Sequence, residues 1–386
     1  MNNVIGKPAL DSDFFDRQLE QARLWARLRT DNLLLLAPRR VGKTSLLHKL
    51  QATAEVNGYH AVFVSVSDHR REIDFVLHLY RAIEKAQGGK AAIKAALRDF
   101  KRHLPRSVKV SLSSLFSVEF AAAAAEDWQP VGAALFKALR DLPGRWLLMV
   151  DELPLFVLSL LDQSRDRARS FLNWFREVRI DPSTAEIRWL LAGSIGLDTV
   201  AARERMGDTI NDLKVEHLGP FSPTDADQFL IELASSYSIV LTEDVRAQMR
   251  TRIGWLIPYH IQLLFAEVQT RGVQPTVADV EAAYAHLLAP AHKLYFDYWV
   301  QRLRTELGGV DGEHALVILA AAARDGEGAS RTVISQALLA QGLGDPDRHT
   351  WLLDVLQTDG YLVKEGERFR FRSPLLRDFW IQRVLG

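Results

Sequence analysis

Hydrophobic positions in the first 220 residues fall into short, nearly unbroken runs separated by longer stretches with helical spacing. LLLL (33–36), VFVSV (62–66), LLMV (147–150) and WLLA (189–192) lack the polar alternation of a half-exposed strand. Runs of this kind belong to strands covered on both faces, the condition inside a parallel sheet. Strands are therefore expected over 32–38, 61–67, 146–151, 188–194 and 215–218, alternating with helices in a three-layer α/β domain. Residues 107–120 (SVKVSLSSLFSVEF) alternate with period two about a Ser-Ser centre and predict an inserted β-hairpin. From residue 221 the pattern becomes helical, opening at Ser222-Pro223-Thr224-Asp225, a helix-start signature. Beyond Pro290, helices over 315–324, 331–341 and 348–358 precede an Asp359-Gly360 turn and two short strands, 361–364 and 368–373. Three helices followed by a small β-wing form the pattern of a winged helix-turn-helix. Domain boundaries are expected at 1–220 for the α/β core, 221–290 for a helical lid and 291–386 for the winged helix.

The polar residues at the strand ends carry the chemistry. The first strand runs into Ala37-Pro38-Arg39-Arg40-Val41-Gly42-Lys43-Thr44-Ser45 and then a helical pattern, the context of a phosphate-binding loop. Backbone N–H groups of such a loop and the positive end of the next helix hold polyphosphate oxygens. Lys43 would reach the β- and γ-phosphates and Thr44 would give its hydroxyl to Mg²⁺. Ala37 stands where a glycine is usual, which requires that it keep a negative φ. The strand ending in Asp151-Glu152 supplies the complementary acids: Asp151 to hold Mg²⁺, Glu152 to orient and deprotonate the attacking water. Ser194, at the polar end of the next strand, could bond the γ-phosphate or that water. Positive charge against the transition state, often given by a neighbouring subunit, could come from Arg176 or Arg179, or from Arg203 or Arg205. Arg39 and Arg40 could face solvent, a neighbouring protomer or the phosphates.

Composition narrows the setting. With 48% hydrophobic and 25% charged residues, the 386-residue chain reads as an ordinary globular protein of two or three domains. Forty-eight basic residues balance 48 acidic ones, so no whole-molecule field points to nucleic acid or membrane. No cysteine is present, which excludes disulfides and thiolate metal sites and fits a cytoplasmic location. The amino-terminal residues carry no secretory signal pattern, and the longest apolar run, 315–323, is about half a membrane span. The 11 histidines show no paired metal-ligand spacing, so Mg²⁺ is the one metal expected.

Four elements together give the chain a family resemblance. Phe14-Phe15-Asp16-Arg17-Gln18-Leu19-Glu20 resembles an F-x-G-R-E-x-E box, with Asp16 in place of glycine. Pro38-Arg39-Arg40-Val41-Gly42-Lys43-Thr44-Ser45 matches a P-R-R-x-G-K-T-S loop, and Val150-Asp151-Glu152-Leu153-Pro154 with Gly193-Ser194 matches acid-strand and sensor positions. Gly254-Trp255-Leu256-Ile257-Pro258 resembles a lid G-x-P element, with three residues rather than one between Gly254 and Pro258. Over essentially its whole length the chain resembles the archaeal-type ATPases of the STAND/AAA+ group, relatives of origin-recognition ATPases. That resemblance implies strand order 5-1-4-3-2 and a carboxy-terminal winged helix. It also implies that Arg17 lies near the nucleotide and Pro258 near its base or ribose, with Pro38 to Ser45 all lining the site.

The function expected is an ATP-binding, ATP-hydrolysing regulatory switch, alternating between ATP and ADP with Mg²⁺, slow without assembly and able to form homo-oligomers. One alternative is a DNA-binding ATPase of replication, transposition or mobile-element defence. Another is a nucleotide-locked scaffold that never turns over. Residues 291–386 hold 12 Lys+Arg against 13 Asp+Glu, a net of −1, although Arg368, Arg370 and Arg372 share one face of the wing. A DNA-binding module normally has a basic footprint, so a protein partner competes with duplex DNA for the winged helix.

Overall fold

The computed structural model describes residues 1–86, 128–140, 144–193 and 196–385. The hairpin expected over 107–120 and the sensor Ser194 lie outside the described residues. Contacts divide the chain into two compact units, and the division cuts across the boundaries read from the sequence. One unit joins Gln18–Leu36 to Leu46–His217; the other joins Met1–Arg17, Ala37–Ser45 and Leu218–Gly386.

The first unit is built on a parallel sheet of β1 (Leu33–Leu36), β2 (Tyr59–Ser65), β3 (Arg145–Asp151), β4 (Ile187–Gly193) and β5 (Lys214–His217), in the order β2-β3-β4-β1-β5. This is the order implied by the resemblance. Alternate residues explain why the strand runs are continuously apolar. Leu34, Leu36, Leu148, Val150, Trp189 and Leu191 enter one core cluster, and the intervening Leu33, Leu35, Leu147, Met149, Leu190 and Ala192 are buried as well. Helices α1 (Gln18–Leu28), α2 (Lys43–Ala52), α3 (Glu72–Ala86), α4 (Trp128–Arg140), α5 (Leu153–Leu161), α6 (Arg165–Ile180) and α7 (Leu197–Arg203) accompany the strands. Phe75, Phe156, Phe171 and Phe175 meet at centroid distances of 5.0–5.8 Å, mostly edge to face, and tie α3, α5 and α6 together. The edge strand β5 is exposed except at Glu216, whose buried carboxylate binds Arg23 at 2.8 Å and Arg27 at 2.6 Å on α1.

The second unit carries helices α8 (Pro223–Ser236), α9 (Glu243–Ile253), α10 (Pro258–Val268) and α11 (Val277–Leu287). Ser222 and Asp225 form a reciprocal capping box at the start of α8, as the Ser-Pro-Thr-Asp signature predicts. There follow α12 (Leu294–Glu306), α13 (Gly309–Arg324), α14 (Arg331–Leu339) and α15 (Pro346–Thr358), with α16 (Pro374–Trp380) near the end. A small antiparallel sheet of β6 (Ala329–Ser330), β7 (Leu362–Glu365) and β8 (Arg368–Phe371) has the order β6-β8-β7. Of these three strands β6 was absent from the sequence pattern, since two residues are too few for a period to register, and α12 was not singled out either. Of the aromatics Trp299, Trp351, Phe379 and Trp380 that the sequence offers as core, three are buried and Trp351 is only half-buried. Among the described residues, no helix is long and apolar enough to cross a membrane.

His260 on α10 is fully buried, 3.4 Å from the hydroxyl of Ser373, and burial pushes its imidazole down to about 3. The folded chain thus refuses a proton that the unfolded chain accepts below its ordinary value of 6.5. Stability from this group is intact above that value and is lost as pH falls toward the folded value, by about 1.4 kcal/mol per pH unit. His69 and His78 are shifted in the same direction by burial. Urea unfolding followed from pH 7 to about pH 5 should show a stability loss that is shallower in His260→Gln than in the parent.

Candidate functional site

β1 leads into the phosphate loop, and α2 begins at Lys43. Within the loop, Arg40 has φ +66° and Gly42 has φ +97°, while Ala37 keeps a negative φ, meeting the condition that its missing glycine imposes. Gly42 adopts its angle at no steric cost. Arg40 does so against about 1–2 kcal/mol of left-handed strain, and its side chain is held accordingly. The guanidinium lies over the rings of Tyr259 (4.5 Å) on α10 and Tyr298 (4.6 Å) on α12, and donates to the carbonyl of Gly6 at 3.1 Å. Cation–π stacking of a part-exposed arginine is worth about 0.5–1 kcal/mol per ring, so the two rings together are comparable to the strain. Burial and the adjacent ring raise the pKa of Tyr298, and burial pushes Tyr259 up to about 12, so both rings remain neutral phenols. The Arg40 guanidinium is thus held by α10 and α12.

Other contacts grip the same loop. Arg17, buried, donates to the carbonyls of Val41 (3.1 Å) and Gly219 (2.8 Å), with its guanidinium 4.5 Å over the ring of Phe221. It therefore braces loop backbone. The N–H of Ala9 donates to the Ser45 hydroxyl at 2.9 Å. Pro258, the first residue of α10, stands about one van der Waals contact from Gly42: a Cβ added to that glycine would meet its Cγ at 4.0 Å. Pro38 packs by the turn after α15, where a Cβ on Gly360 (φ +88°) would come within 3.0 Å of the Pro38 Cβ and collide with the Trp255 ring. Arg39 is half-buried and Val41 fully buried. Lys43, in the first turn of α2, is buried, and Thr44 is partly exposed beside it at the positive end of the helix. Together these residues fix the shape of the turn that leads into α2.

The acid pair belongs to the sheet unit. β1, β3 and β4 run parallel, with Leu36 beside Gly193 and Val150 beside Leu191, so the strand ends stand at one edge. Asp151 is buried at the last position of β3, and its Oδ1 accepts the N–H of Glu152 at 2.9 Å. Glu152 has φ +59° and ψ +30°, a left-handed conformation that no glycine relieves, and caps α5. A strained non-glycine residue that ends a buried strand is held there by its surroundings, a feature found at working sites.

The arginine expectations divide. Arg179 is corrected: its side chain is wholly buried, pairs with Asp212 at 2.8–2.9 Å and donates to the Thr209 carbonyl at 2.8 Å. It also lies beside Asn32, at the amino edge of the sheet, opposite the acids. A side chain so enclosed cannot be offered to a neighbour. Arg176, one turn earlier and about one-third exposed, bonds Asn211 at 3.2 Å and remains presentable. Arg203 lies 3.3 Å from Glu204, and the backbone of Arg205 is left-handed with its carbonyl bonded to Arg169.

Sequence reasoning did not single out Tyr259, Tyr298, Trp255 and Gly360 as partners of the loop. Their spacings carry no common period, and only folding brings them to it.

Among solved structures, the chain is similar to a Walker-type ATPase of Pyrococcus abyssi: 16% identical, covering 98% of this chain and 99% of that one, with a TM-score of 0.63. It is also similar to the ORC2 protein of Aeropyrum pernix, in complexes with ADPNP and ADP: 14% identical, covering 96% and 95%, with a TM-score of 0.55. At these identities the likeness is one of fold, and the chain has the fold of archaeal Walker-type and origin-recognition ATPases. No protein-family model and no curated protein matches the sequence.

Two pairs of substitutions test the geometry. Gly360→Ala should destabilise the protein by more than about 2 kcal/mol, because strain and collision add, whereas Gly366→Ala, in open space, should cost about 1 kcal/mol. Arg179→Ala should cost about 2–4 kcal/mol by exposing an unpaired buried carboxylate, and Arg176→Ala less than about 1 kcal/mol. Chemical denaturation reads all four.

Proposed function

We propose that the chain binds ATP at the phosphate loop and hydrolyses it with Mg²⁺, and that the lid and carboxy-terminal helices respond to the nucleotide. The observation that carries this reading is the loop itself: Gly42 curled at φ +97° and Lys43 opening a helix after β1 of a P-loop fold. The Asp151-Glu152 pair at the same edge of the sheet supports hydrolysis over binding alone.

The donors fit the ion. Thr44 and Asp151 offer a hydroxyl and a carboxylate, hard oxygen ligands of the kind Mg²⁺ takes alongside phosphate oxygens. When bound, that ion would neutralise charge on the β- and γ-phosphates. The residues of the chain do the rest. Loop N–H groups and the helix end would hold the phosphate oxygens, and Lys43 would balance their charge. Glu152 would accept a proton from water as its oxygen attacks the γ-phosphorus and the bond to the β–γ bridging oxygen breaks, releasing ADP and phosphate. Arg176 stands as the candidate to act on a neighbouring subunit's nucleotide.

Coupling to the carboxy-terminal helices rests on Arg40 and Pro38, each in contact with residues beyond 250, and on Pro258, which stands by Gly42. A change in the loop on losing phosphate would alter the cage of Tyr259 and Tyr298 directly. The state that makes better contacts with ATP would be favoured by that difference in affinity. We read α13, β6, α14, α15, β7 and β8 as a winged helix. Its arginines favour internal or protein-facing use over DNA. Arg368 bonds Asp325 at 2.5 Å and Arg370 pairs with Glu365. Arg372 donates to the carbonyls of Leu362 and Gln357, and Arg348 pairs with Asp311.

Lys43→Ala should remove binding of a fluorescent ADP analogue. Glu152→Gln should keep that binding while phosphate release falls by about 10²-fold or more. Wild-type turnover in Glu152→Gln would sink the assignment of the base, and unchanged binding in Lys43→Ala would sink the site.

A further inference from the structure

Outside the phosphate loop, among the described residues, Glu267, His286 and His292 bring their ligand atoms within 4.8 Å of one another. Glu267 lies in the last turn of α10, His286 in the last turn of α11, and His292 closes the short turn Pro290–His292 that precedes α12. The carboxylate is nearly buried, at 12% exposure, and its ion partners are these two imidazoles. It divides its oxygens between them: Oε2 accepts from His286 Nδ1 at 2.6 Å, and Oε1 lies 3.8 Å from His292 Nδ1. The second distance is too long for a hydrogen bond, so one oxygen and one imidazole nitrogen converge without joining. The two rings stand 4.5 Å apart at 65°, with both Nδ1 atoms turned to the same carboxylate.

We propose that this cluster is a binding site for a divalent transition-metal ion of the zinc class. Two imidazole nitrogens and one carboxylate oxygen are the donors such ions prefer, and three protein ligands leave a fourth position for water. Bonds of about 2.1 Å to a tetrahedral ion require donor separations of about 3.4 Å, which the present distances bracket. The ion replaces the proton between His286 and Glu267, and His286 then carries its proton on Nε2. Entry is open, since His286 is 52% exposed. The ligands are held in place by backbone: Ala289 N–H donates to the His286 carbonyl at 2.9 Å and His292 N–H to the Ala289 carbonyl at 3.0 Å.

The site has a mechanical consequence. The ion would join the end of α10, the end of α11 and the start of α12 in one cross-link. His292 stacks on Tyr295 at 5.7 Å, whose carbonyl accepts from Tyr259, the ring that carries Arg40. No sequence motif announces the cluster, because its members are 19 and 6 residues apart on separate elements.

Co²⁺ titrated into chelator-treated full-length protein without nucleotide tests the site. One equivalent should produce a visible ligand-field band of the tetrahedral kind, displaced by Zn²⁺, and should raise the melting midpoint. His286→Ala and Glu267→Gln should each weaken binding at least about tenfold, and His217→Ala should leave it unchanged. In the unsubstituted protein, Co²⁺ should broaden the ring signals of His286 and His292 ahead of other histidines, a readout independent of how the variants fold. A band that survives both variants, or the absence of saturable binding and broadening, overturns the proposal.

Discussion

Arg40 occupies a backbone conformation that its own side chain makes tolerable. Its left-handed φ is uphill for any residue with a Cβ, and two tyrosine faces and a carbonyl hold the guanidinium that results. Those tyrosines come from α10 and α12, so the shape of the phosphate loop depends on helices that begin more than 200 residues later. Arg17 acts in the same sense from the amino-terminal side, bonding the loop at Val41 and the segment leading to the lid at Gly219. The loop is thus shaped by two arginines, one bonding Val41 and one bonding Gly6.

The sheet was legible because burial on both faces leaves a mark in composition: five strands were readable to within a residue or two, and their order followed from the resemblance. The loop and the acid pair were legible for a related reason, as each is a local string on a strand end. What the sequence could not convey is anything that depends on two distant elements meeting. That Tyr259 and Tyr298 hold Arg40 has no mark in the sequence, where solvent, a neighbouring protomer and the phosphates are all open to it. Arg179 reads as a surface arginine on a helix until Asp212 and Thr209 close over it. Glu267, His286 and His292 lie on three elements, and a search for metal spacing along the chain passes over them.

Arginine is used throughout as an internal fastener. The wing arginines, Arg348, Arg179, Arg23 and Arg27 all end on carboxylates or carbonyls of their own unit. This accounts for a carboxy-terminal region that is rich in arginine yet net −1 in charge. A basic residue already committed to an internal carboxylate contributes little to an attractive field for polyanions. Charge count alone, without partners, would have overstated that field.

The grouping of Ala37–Ser45 with residues beyond 217 has a consequence for how such proteins can be recombined. The carboxy-terminal half is not a cassette that can be exchanged while the loop stays constant, because exchange would also replace Trp255, Pro258, Tyr259, Tyr298 and Gly360, which form the walls of the loop. Chimeras that join the sheet of one protein to the helices of another would inherit a mismatched loop even where every motif residue is retained. Inheritance of the two halves is therefore coupled through nine residues that sequence assigns to one of them and contacts assign to the other.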